Sequence, residues 1–440
     1  MNIYFYTLGC KVNQYETAAL KQLFSDKGYI VTDKPDNADI CIINTCTVTS
    51  ESDSKARQVL RKLRKKLPHA VIAVTGCYPQ ASPEAEKLLP EADIVSGTKD
   101  RLSLPKLIDA FIRQRDRIVY IPEYKNGDCY EKLTCRTIPG HTRAFLKIQD
   151  GCNRFCSYCM IPYSRGRIRS KPPEELKAEV SGLAQAGYRE VVLTGINLAF
   201  YGSEYGMTLA DAAEICASVN GIERIRFGSL EPEMMTDSEL DRLAALEQIC
   251  PSFHLSLQSG CEKTLRAMNR HYTPDEYFSL VQKLRSRFPH CAVTTDIMTG
   301  FPGETDEDFA ESCAFAEKVG FADIHIFPYS VRKGTRAEKM PDQVPEDIKH
   351  KRAAILAEKA AVMRRIFLEA QVGKTVPVLF EREKSDGFHR GFTPNYTMIK
   401  ILTKYSEKSL RNHVFYVTID KIEDDCCMGH ISSESHPKPL

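Results

Sequence analysis

The chain has 440 residues, 42% hydrophobic and 27% charged, as in a globular protein long enough for about three domains. No apolar run approaches the ~20 residues of a membrane-spanning helix, and the N-terminus lacks the basic and long apolar regions of a signal peptide. Sixteen cysteines without such a signal favour reduced thiols and metal binding in the cytoplasm, and exclude a disulfide-stapled secreted domain. The net charge of +2 hides local clusters of one sign.

Three predicted strands near the N-terminus are each followed by a cysteine. The strands cover 3–7, 39–43 and 71–74, and the predicted helices between them lie near 14–27 and 52–66. This order predicts parallel neighbouring strands, and open α/β sheets bind ligands at the carboxyl ends of their strands. Cys10, Cys46 and Cys77 are therefore candidates for one shared metal site. The alternative is a buried structural role, as expected for Cys41 inside a strand.

Positive charge gathers on one predicted helix and in one later segment. The helix at 54–66 carries seven basic residues, and the segment 141–170 carries six basic residues against Asp150 alone. Such clusters are either solvated faces or surfaces that contact phosphates. The residues that we expect at a phosphate-binding surface are Arg61, Lys62, Lys65, Arg165 and Arg167.

Three cysteines stand at C-x-x-x-C-x-x-C spacing, namely Cys152, Cys156 and Cys159. Three thiolates can hold three irons of a cubane iron–sulfur cluster and leave the fourth iron without a protein ligand. An open iron is a site for chemistry, whereas a closed four-cysteine site is more typical of structure or electron transfer. A zinc knuckle with a distant fourth ligand is the alternative. The lack of a nearby second C-x-x-C or His-x-x-x-His counts against zinc.

Six predicted strands alternate with helices from residue 144 onwards, which predicts a parallel sheet. The strands cover 144–149, 190–194, 224–227, 253–257, 292–297 and 323–327, and the helices about 174–187, 208–219, 237–248, 274–287 and 305–319. Polar and glycine-rich residues follow the strand ends, where such sheets carry reactive groups, although glycine and proline end strands in any protein. The candidates on this rim are Gly195, Ser229, Glu231, Gln258, Gly300, Pro302 and Ser330.

The C-terminal region is predicted to begin with a helix and to continue in strands. The helix covers 346–370, and the strands cover 376–380, 396–402 and 413–419. Phe388, Arg390, Phe392 and Tyr396 combine aromatic rings with a cation, as a surface that stacks bases and binds phosphates requires. The alternative for each ring is the core of a small barrel. The tail 434–440 is predicted to be disordered.

An ordered set of motifs covers nearly the whole chain. They are Thr7-Leu-Gly-Cys-Lys-Val-Asn-Gln-Tyr-Glu16, Asn44-Thr-Cys-Thr-Val48, Thr75-Gly-Cys77, Gly151-Cys-Asn-Arg-Phe-Cys-Ser-Tyr-Cys159, His254-Leu-Ser-Leu-Gln-Ser-Gly260 and Gly300-Phe-Pro-Gly-Glu304. The set resembles the methylthiotransferase family of the radical S-adenosylmethionine (SAM) superfamily. In that superfamily SAM chelates the open iron, and an electron from the cluster cleaves SAM to methionine and a 5′-deoxyadenosyl radical.

The resemblance implies the cofactors and their ligands. The cofactors would be SAM and two [4Fe-4S] clusters. The ligands would be Cys152, Cys156 and Cys159 for the SAM cluster, and Cys10, Cys46 and Cys77 for an auxiliary, sulfur-carrying cluster. Tyr158 would pack by the SAM adenine, and the rim candidates would supply further SAM contacts. The family inserts sulfur into an unactivated C–H bond and adds a methyl group.

The resemblance also implies an α/β fold with three domains and a linker. They are an N-terminal parallel α/β sheet domain (1–115), the linker (116–138), a radical SAM partial (β/α)6 barrel (139–370) and a TRAM-like RNA-binding barrel (371–433). Arg390 would contact RNA in the last of these. We assign no role to Cys129 and Cys135 in the linker.

Three substrate classes compete within the family: isopentenyl-adenosine in tRNA, threonylcarbamoyl-adenosine in tRNA, and an aspartate of a ribosomal protein. The Cys-Lys-Val-Asn-Gln run at 10–14 resembles the threonylcarbamoyl branch, and the Pro-Lys-Asn run typical of the protein branch is lacking. The expected reaction is methylthiolation at C2 of N6-threonylcarbamoyladenosine at position 37 of tRNA, with an external electron donor and a sulfur source. A non-catalytic iron–sulfur RNA-binding module is the alternative from another class, and the two open cysteine triads disfavour it.

Overall fold

The computed structural model describes residues 1–136, 142–381, 387–403 and 409–432. The tail predicted to be disordered, 434–440, lies outside these residues. Within them, no helix is long and apolar enough to cross a membrane.

The N-terminal part is a parallel sheet of six strands in the order β2-β1-β3-β4-β5-β6. The strands are β1 (Asn2–Thr7), β2 (Ile30–Thr32), β3 (Ile40–Thr45), β4 (Val71–Gly76), β5 (Ile94–Ser96) and β6 (Ile118–Tyr120). The helices are α1 (Lys11–Asp26), α2 (Ser50–Lys66), α3 (Cys77–Ala81), α4 (Ala85–Leu88) and α5 (Leu104–Gln114). The neighbouring parallel arrangement predicted for the three cysteine-bearing strands is confirmed.

Helix α2 forms because its ends and its faces suit a surface helix. The Thr49 hydroxyl accepts a hydrogen bond from the Ser52 backbone N–H (3.1 Å), and acidic residues in the first turn and basic residues in the last turn match the helix dipole. Ala56, Leu60 and Leu63 recur at helical spacing and are buried. The cations on the other face therefore point to solvent.

The middle part is an arc of parallel strands covered by helices on its outer face. Its strands are β7 (Ala144–Lys147), β8 (Gln149–Asp150), β9 (Arg169–Ser170), β10 (Glu190–Thr194), β11 (Arg224–Phe227), β12 (Ser229–Leu230), β13 (Ser252–Leu255), β14 (Ala292–Thr299) and β15 (Asp323–Pro328). Its helices are α6 (Ile161–Arg165), α7 (Pro173–Gln185), α8 (Leu209–Ala217), α9 (Asp237–Ala244), α10 (Glu262–Ala267), α11 (Pro274–Arg287), α12 (Asp306–Val319) and α13 (Glu346–Glu369). Short β8 and β9 form a separate antiparallel pair.

The arc consists of two sheets, β11-β10-β7 and β12-β13-β14-β15, which are continuous through the chain at Gly228. Alternate apolar residues, such as Val293 and Ile297 of β14, belong to one large core with helix residues such as Leu284. Because side chains alternate along a strand, the intervening residues point into the arc. The residues facing inwards include Phe145, Glu190, Arg226, His254, Asp296 and His325. The partial-barrel prediction is confirmed.

The C-terminal part is a closed five-stranded barrel in the order β16-β17-β18-β20-β19, which confirms the predicted small barrel. The strands are β16 (Thr375–Phe380), β17 (Phe388–Phe392), β18 (Met398–Leu402), β19 (Val414–Glu423) and β20 (Cys426–Ile431). Its core includes Val378, Phe380, Ile399 and Val417. These residues come from three different strands of the barrel.

The small barrel docks on the arc through arginines of β11. Arg224 donates hydrogen bonds to the carbonyl oxygens of Phe392 (3.2 Å) and Pro377 (3.1 Å), and Arg226 donates one to the carbonyl of Pro394 (3.0 Å). The rings of Phe392 and Tyr396 stack with their centres 4.6 Å apart.

The Arg143 guanidinium lies 4.8 Å from the centre of the Phe392 ring and 5.0 Å from that of Tyr396. Both rings are thus engaged with a cation of the middle part. The two rings thus take part in docking the barrel, and their stacking on RNA stays a prediction, since Tyr396 remains 43% exposed.

Candidate active site between two cysteine clusters

The three N-terminal cysteines lie together at the carboxyl edge of the first sheet. Cys10 precedes α1, Cys46 follows β3, and Cys77 begins α3. At Gly9, where φ is +107°, a Cβ atom would lie 3.0 Å from Cys46 Sγ, so only glycine lets these segments approach. Burial and the neighbouring Cys77 and Cys10 raise the pKa of the Cys46 thiol to about 11. The three cysteines are thus neighbours at one edge of the sheet, as the ligands of a shared cluster must be.

The second set of cysteines lies in the loop that follows β8, and one asparagine holds that loop. Asn269 Nδ2 donates to the carbonyl oxygens of Arg154 (3.1 Å) and Phe155 (3.2 Å), and Phe155 has a positive φ of 50°. The Ser157 N–H bonds the Met268 carbonyl at 2.9 Å. The loop conformation is therefore fixed by α10 and the turn that follows it.

Each thiol of this second set accepts an N–H group. Asn197 Nδ2 donates to Cys152 Sγ (3.5 Å), Arg270 Nη1 to Cys156 Sγ (3.4 Å), and the Ile161 backbone N–H to Cys159 Sγ (3.4 Å). Such donors suit thiolate ligands of an iron–sulfur cluster, whose charge they stabilise. The residues present therefore fit a three-cysteine cluster.

Two polar atoms next to this loop have no hydrogen-bond partner in the described part of the chain, although they are buried. They are the amide oxygens Asn197 Oδ1 and Gln258 Oε1. Buried acceptors of this kind are costly unless a bound molecule satisfies them. SAM offers an ammonium group and hydroxyls as donors, so the site fits it. Asn197 is absent from our SAM-contact prediction, although it stands two residues after Gly195 in the same rim segment.

The other rim candidates are placed differently. Glu231 is ion-paired with Arg270, whereas Ser229 is exposed. Ser330 Oγ lies 3.0 Å from Ser50 Oγ at the start of α2. Tyr158 packs edge-on against Phe301 at 6.3 Å between ring centres.

Two glycines of the rim let other groups approach closely. A Cβ atom at Gly300 would lie 2.2 Å from Lys349 Cγ, and one at Gly195 would lie 2.9 Å from Gln149 Oε1. Pro302 is buried in the turn that begins at Gly300. Close packing alone accounts for both glycines, so SAM contact by the rim residues stays a prediction.

A buried network of charges joins the first sheet to the arc. Glu16 of α1 is fully buried and accepts from Arg101 Nη2 (3.0 Å), Lys147 Nζ (2.8 Å) and Arg165 Nη1 (2.6 Å). Lys147 also pairs with Asp150 at 2.6 Å. Burial alone would raise the pKa of Glu16, but the three cations outweigh it and lower this pKa from 4.5 to about 2.

Arg165 connects the two cysteine sets. Its Nε donates to Cys77 Sγ at 3.3 Å and its Nη2 donates to Asn13 Oδ1 at 2.8 Å. It ends α6, which begins two residues after Cys159. Because Arg165 is fully buried, its expected contact with tRNA phosphates is wrong.

The other basic residues of 141–170 are also mostly internal. Lys147 and Arg169 are buried, Arg143 docks the small barrel, and Arg154 pairs with Glu233 at 2.6 Å. Arg167 is exposed, and its guanidinium lies 4.8 Å from the centre of the Phe155 ring beside the cysteines. The positive charge counted along this segment is therefore used chiefly for internal ion pairs.

The remaining cations predicted to contact RNA lie on two elements. Arg61, Lys62 and Lys65 are exposed on α2, and Arg61 pairs with Glu91 at 3.2 Å. Arg390 is half-buried on β17. Contact of these residues with RNA stays a prediction.

Comparisons with known proteins agree with this geometry. Residues 146–316 match the model of the Radical SAM superfamily, and residues 2–97 match that of Uncharacterized protein family UPF0004. The chain is similar in fold to the radical S-adenosylmethionine methyltransferase TsrM from Kitasatospora setae, with a TM-score of 0.56, 13% identity and 74% of each chain covered. At this identity the likeness shows the fold alone.

Curated relatives cover nearly the whole chain. The chain is 40% identical to Threonylcarbamoyladenosine tRNA methylthiotransferase MtaB of Bacillus subtilis, over 92% of this chain and 90% of that protein. It is 37% identical to tRNA-2-methylthio-N(6)-dimethylallyladenosine synthase of Pelotomaculum thermopropionicum, over 86% of each. The chain therefore belongs to the radical SAM methylthiotransferase family, an enzyme family that uses SAM and [4Fe-4S] clusters, as the motifs predict.

Proposed function

We propose that this enzyme methylthiolates C2 of N6-threonylcarbamoyladenosine at position 37 of tRNA. The observation that carries the proposal is the meeting of two cysteine sets at one interface, where Arg165 reaches Cys77 from the loop of Cys159. The substrate assignment is supported by MtaB of Bacillus subtilis, which matches at higher identity and over more of the chain than the dimethylallyladenosine synthase.

In the proposed arrangement each cysteine set holds one [4Fe-4S] cluster. Cys152, Cys156 and Cys159 hold the cluster that binds SAM, and the N-terminal set holds the auxiliary cluster. When bound, the SAM cluster and SAM would together supply the chemistry of hydrogen abstraction, and the auxiliary cluster would supply the sulfur.

The chain's own side chains orient these groups. Asn197 and Arg270 donate hydrogen bonds to thiols of the second set, and Arg165 donates one to Cys77. The apolar cluster of Met298, Phe301 and Tyr329 lies beside Tyr158 and keeps water from that side of the SAM cluster. The oxygens of Asn197 and Gln258 accept hydrogen bonds from SAM.

The substrate is tested by giving the reconstituted enzyme three substrates in parallel. They are tRNA bearing threonylcarbamoyl-adenosine, tRNA bearing isopentenyl-adenosine, and ribosomal protein. We expect a methylthio product only with the first, read by mass spectrometry of the digested substrate. A product only with the second or third would refute the substrate assignment and leave the chemistry standing.

We further propose that α2 contacts tRNA phosphates. Reversing the charges of Arg61, Lys62 and Lys65 to Glu should weaken tRNA binding about 10- to 100-fold at low salt, because each lost contact also loses counterion release. Raising salt from ~50 to ~200 mM should weaken binding to the wild type by orders of magnitude. SAM cleavage should not change.

The control variant carries the same three cation-to-Glu charge reversals, but at cations of the middle part. The substitutions Arg266→Glu, Lys283→Glu and Lys318→Glu lie on α10, α11 and α12. Equal loss of tRNA affinity in both triple variants, measured by anaerobic filter binding, would show a general charge effect and contradict a contact at α2.

Turnover requires an external electron donor and a source of sulfur for the auxiliary cluster, and we propose both as partners. With tRNA as the substrate, we propose the cytoplasm as the place of reaction.

A further inference from the structure

Lys11 directly follows Cys10 and begins α1 at the opening of the arc. Its ammonium lies 6.0 Å from the centre of the Phe145 ring, which faces the inside of the arc from β7. In the described part of the chain the ammonium makes no hydrogen bond or ion pair. Lys11 is exposed to solvent. It therefore lies in the space between the edge of the first sheet that carries Cys10 and the inner face of the arc.

Positive charge exceeds negative charge around this space. Arg143, Arg224 and Arg226 share the carboxylate of Glu190, at 3.8, 3.6 and 3.0 Å. Glu381 supplies one further carboxylate, to Arg143. Three guanidinium groups thus face two carboxylates, before Lys11 is counted.

The opposite wall of the space adds one carboxylate, Asp296 of β14, which accepts from His254 Nε2 and from His325 Nδ1, both at 3.2 Å. Four cations, Lys11 included, thus outnumber three carboxylates. Among the described residues, no carboxylate pairs with the Lys11 ammonium.

We propose that Lys11 binds the carboxylate of the threonyl group of the substrate. This inference rests on the proposed function. The threonyl carboxylate distinguishes this substrate from a neutral N6-alkyl adenosine, and Lys11 is the residue that recognises it. Lys11 is next to Cys10 in the sequence. An ion pair between its ammonium and the substrate carboxylate therefore places the modified base beside the auxiliary cysteines. Arg143 and Arg226 strengthen the positive potential at the carboxylate without contacting it.

The geometry favours a bound anion over a structural role for Lys11. A structural lysine in this environment would pair with a carboxylate, as Lys147 pairs with Glu16 at 2.8 Å. Lys11 instead lies beside the Phe145 ring of the arc and directly follows Cys10. An ammonium donates a charge-assisted hydrogen bond to a carboxylate, and loss of such a donor typically lowers affinity by about 10- to 100-fold.

The test uses the reconstituted holoenzyme with SAM and two anticodon stem-loop RNAs. One RNA bears threonylcarbamoyl-adenosine, and the other bears its methyl ester, in which the carboxylate is neutral. For Lys11→Gln we expect kcat/KM and binding affinity to fall about 10- to 100-fold on the acid and less than about threefold on the ester. Lys11→Arg should retain most of the affinity for the acid. Iron content and SAM cleavage without RNA should match the wild type.

The matched control is Lys21→Gln, which removes a charge on the same helix ten residues further along. It should change neither kcat/KM nor binding affinity for either RNA. Equal losses of Lys11→Gln on acid and ester would overturn the proposal, and so would unchanged binding of both. If the wild type methylthiolates neither RNA but does modify isopentenyl-adenosine, the proposed function itself has failed. If instead the wild type modifies the acid and Lys11→Gln does so equally well, only the role proposed for Lys11 has failed.

Discussion

Replacing Cys10, Cys46 and Cys77 by Ala should abolish the methylthio product and leave SAM cleavage near the wild-type rate. The reason is that the two cysteine sets lie on different elements, one at the edge of the first sheet and the other in the loop after β8. The loop is fixed by Asn269 and Ser157 independently of the N-terminal cysteines. Iron content should fall to about half, because each set holds one of two clusters.

The reciprocal variant is the matched control. With Ala at Cys152, Cys156 and Cys159, both SAM cleavage and product should be lost, and iron should again fall to about half. The measurements are 5′-deoxyadenosine by chromatography, methylthio nucleoside by mass spectrometry, and iron and sulfide analysis. Product from the N-terminal triple variant, or zinc in place of iron in the wild type, would contradict the assignment.

Glu16→Gln should destabilise the protein by about 3 kcal/mol at pH 7. The variant leaves Arg101, Lys147 and Arg165 buried around an uncharged amide, and the pKa of Glu16 lies near 2 in the folded protein against an ordinary 4.5. A carboxyl whose pKa falls on folding adds stability above its unfolded pKa, and loses it as pH falls through the folded pKa. Wild type and variant should therefore converge as pH falls from about 4.5 to about 2.

The measurement is urea unfolding of the metal-free protein under argon across this pH range. The control is Glu358→Gln, an exposed position on α13, which should change stability by less than about 0.5 kcal/mol. A difference between wild type and Glu16→Gln that stays constant down to about pH 2 would show that the charge of Glu16 contributes nothing.

The sequence predicted the positions of the cysteine sets because each cysteine lies close in sequence to the strand that positions it. Apolar runs such as Ile40–Thr45 and Val71–Gly76 each end at a small or polar residue before the cysteine, and parallel strands bring their ends to one edge. The strands β5, β6 and β17 escaped prediction because their sequence signals are weak. The first two are only three residues long, and β17 contains Gly391, where the barrel wall needs a close approach to Val378.

The role of Arg165 could not be read from its neighbours in sequence. Counting charges along 141–170 gives a basic segment, but the partner of Arg165 is Glu16, which lies 149 residues earlier. Only the fold shows that Glu16 of α1 forms ion pairs with cations from three separate segments. The same applies to Tyr396, whose ring is taken up by Arg143 and Arg226 of the middle part.

The contacts of Arg224 and Arg226 with the small barrel have an evolutionary consequence. Their hydrogen bonds go to the main-chain oxygens of Pro377, Phe392 and Pro394, which every amino acid possesses. Substitution at those positions leaves the acceptors in place, provided the backbone keeps its path. The side chains of the barrel can therefore change while these hydrogen bonds persist.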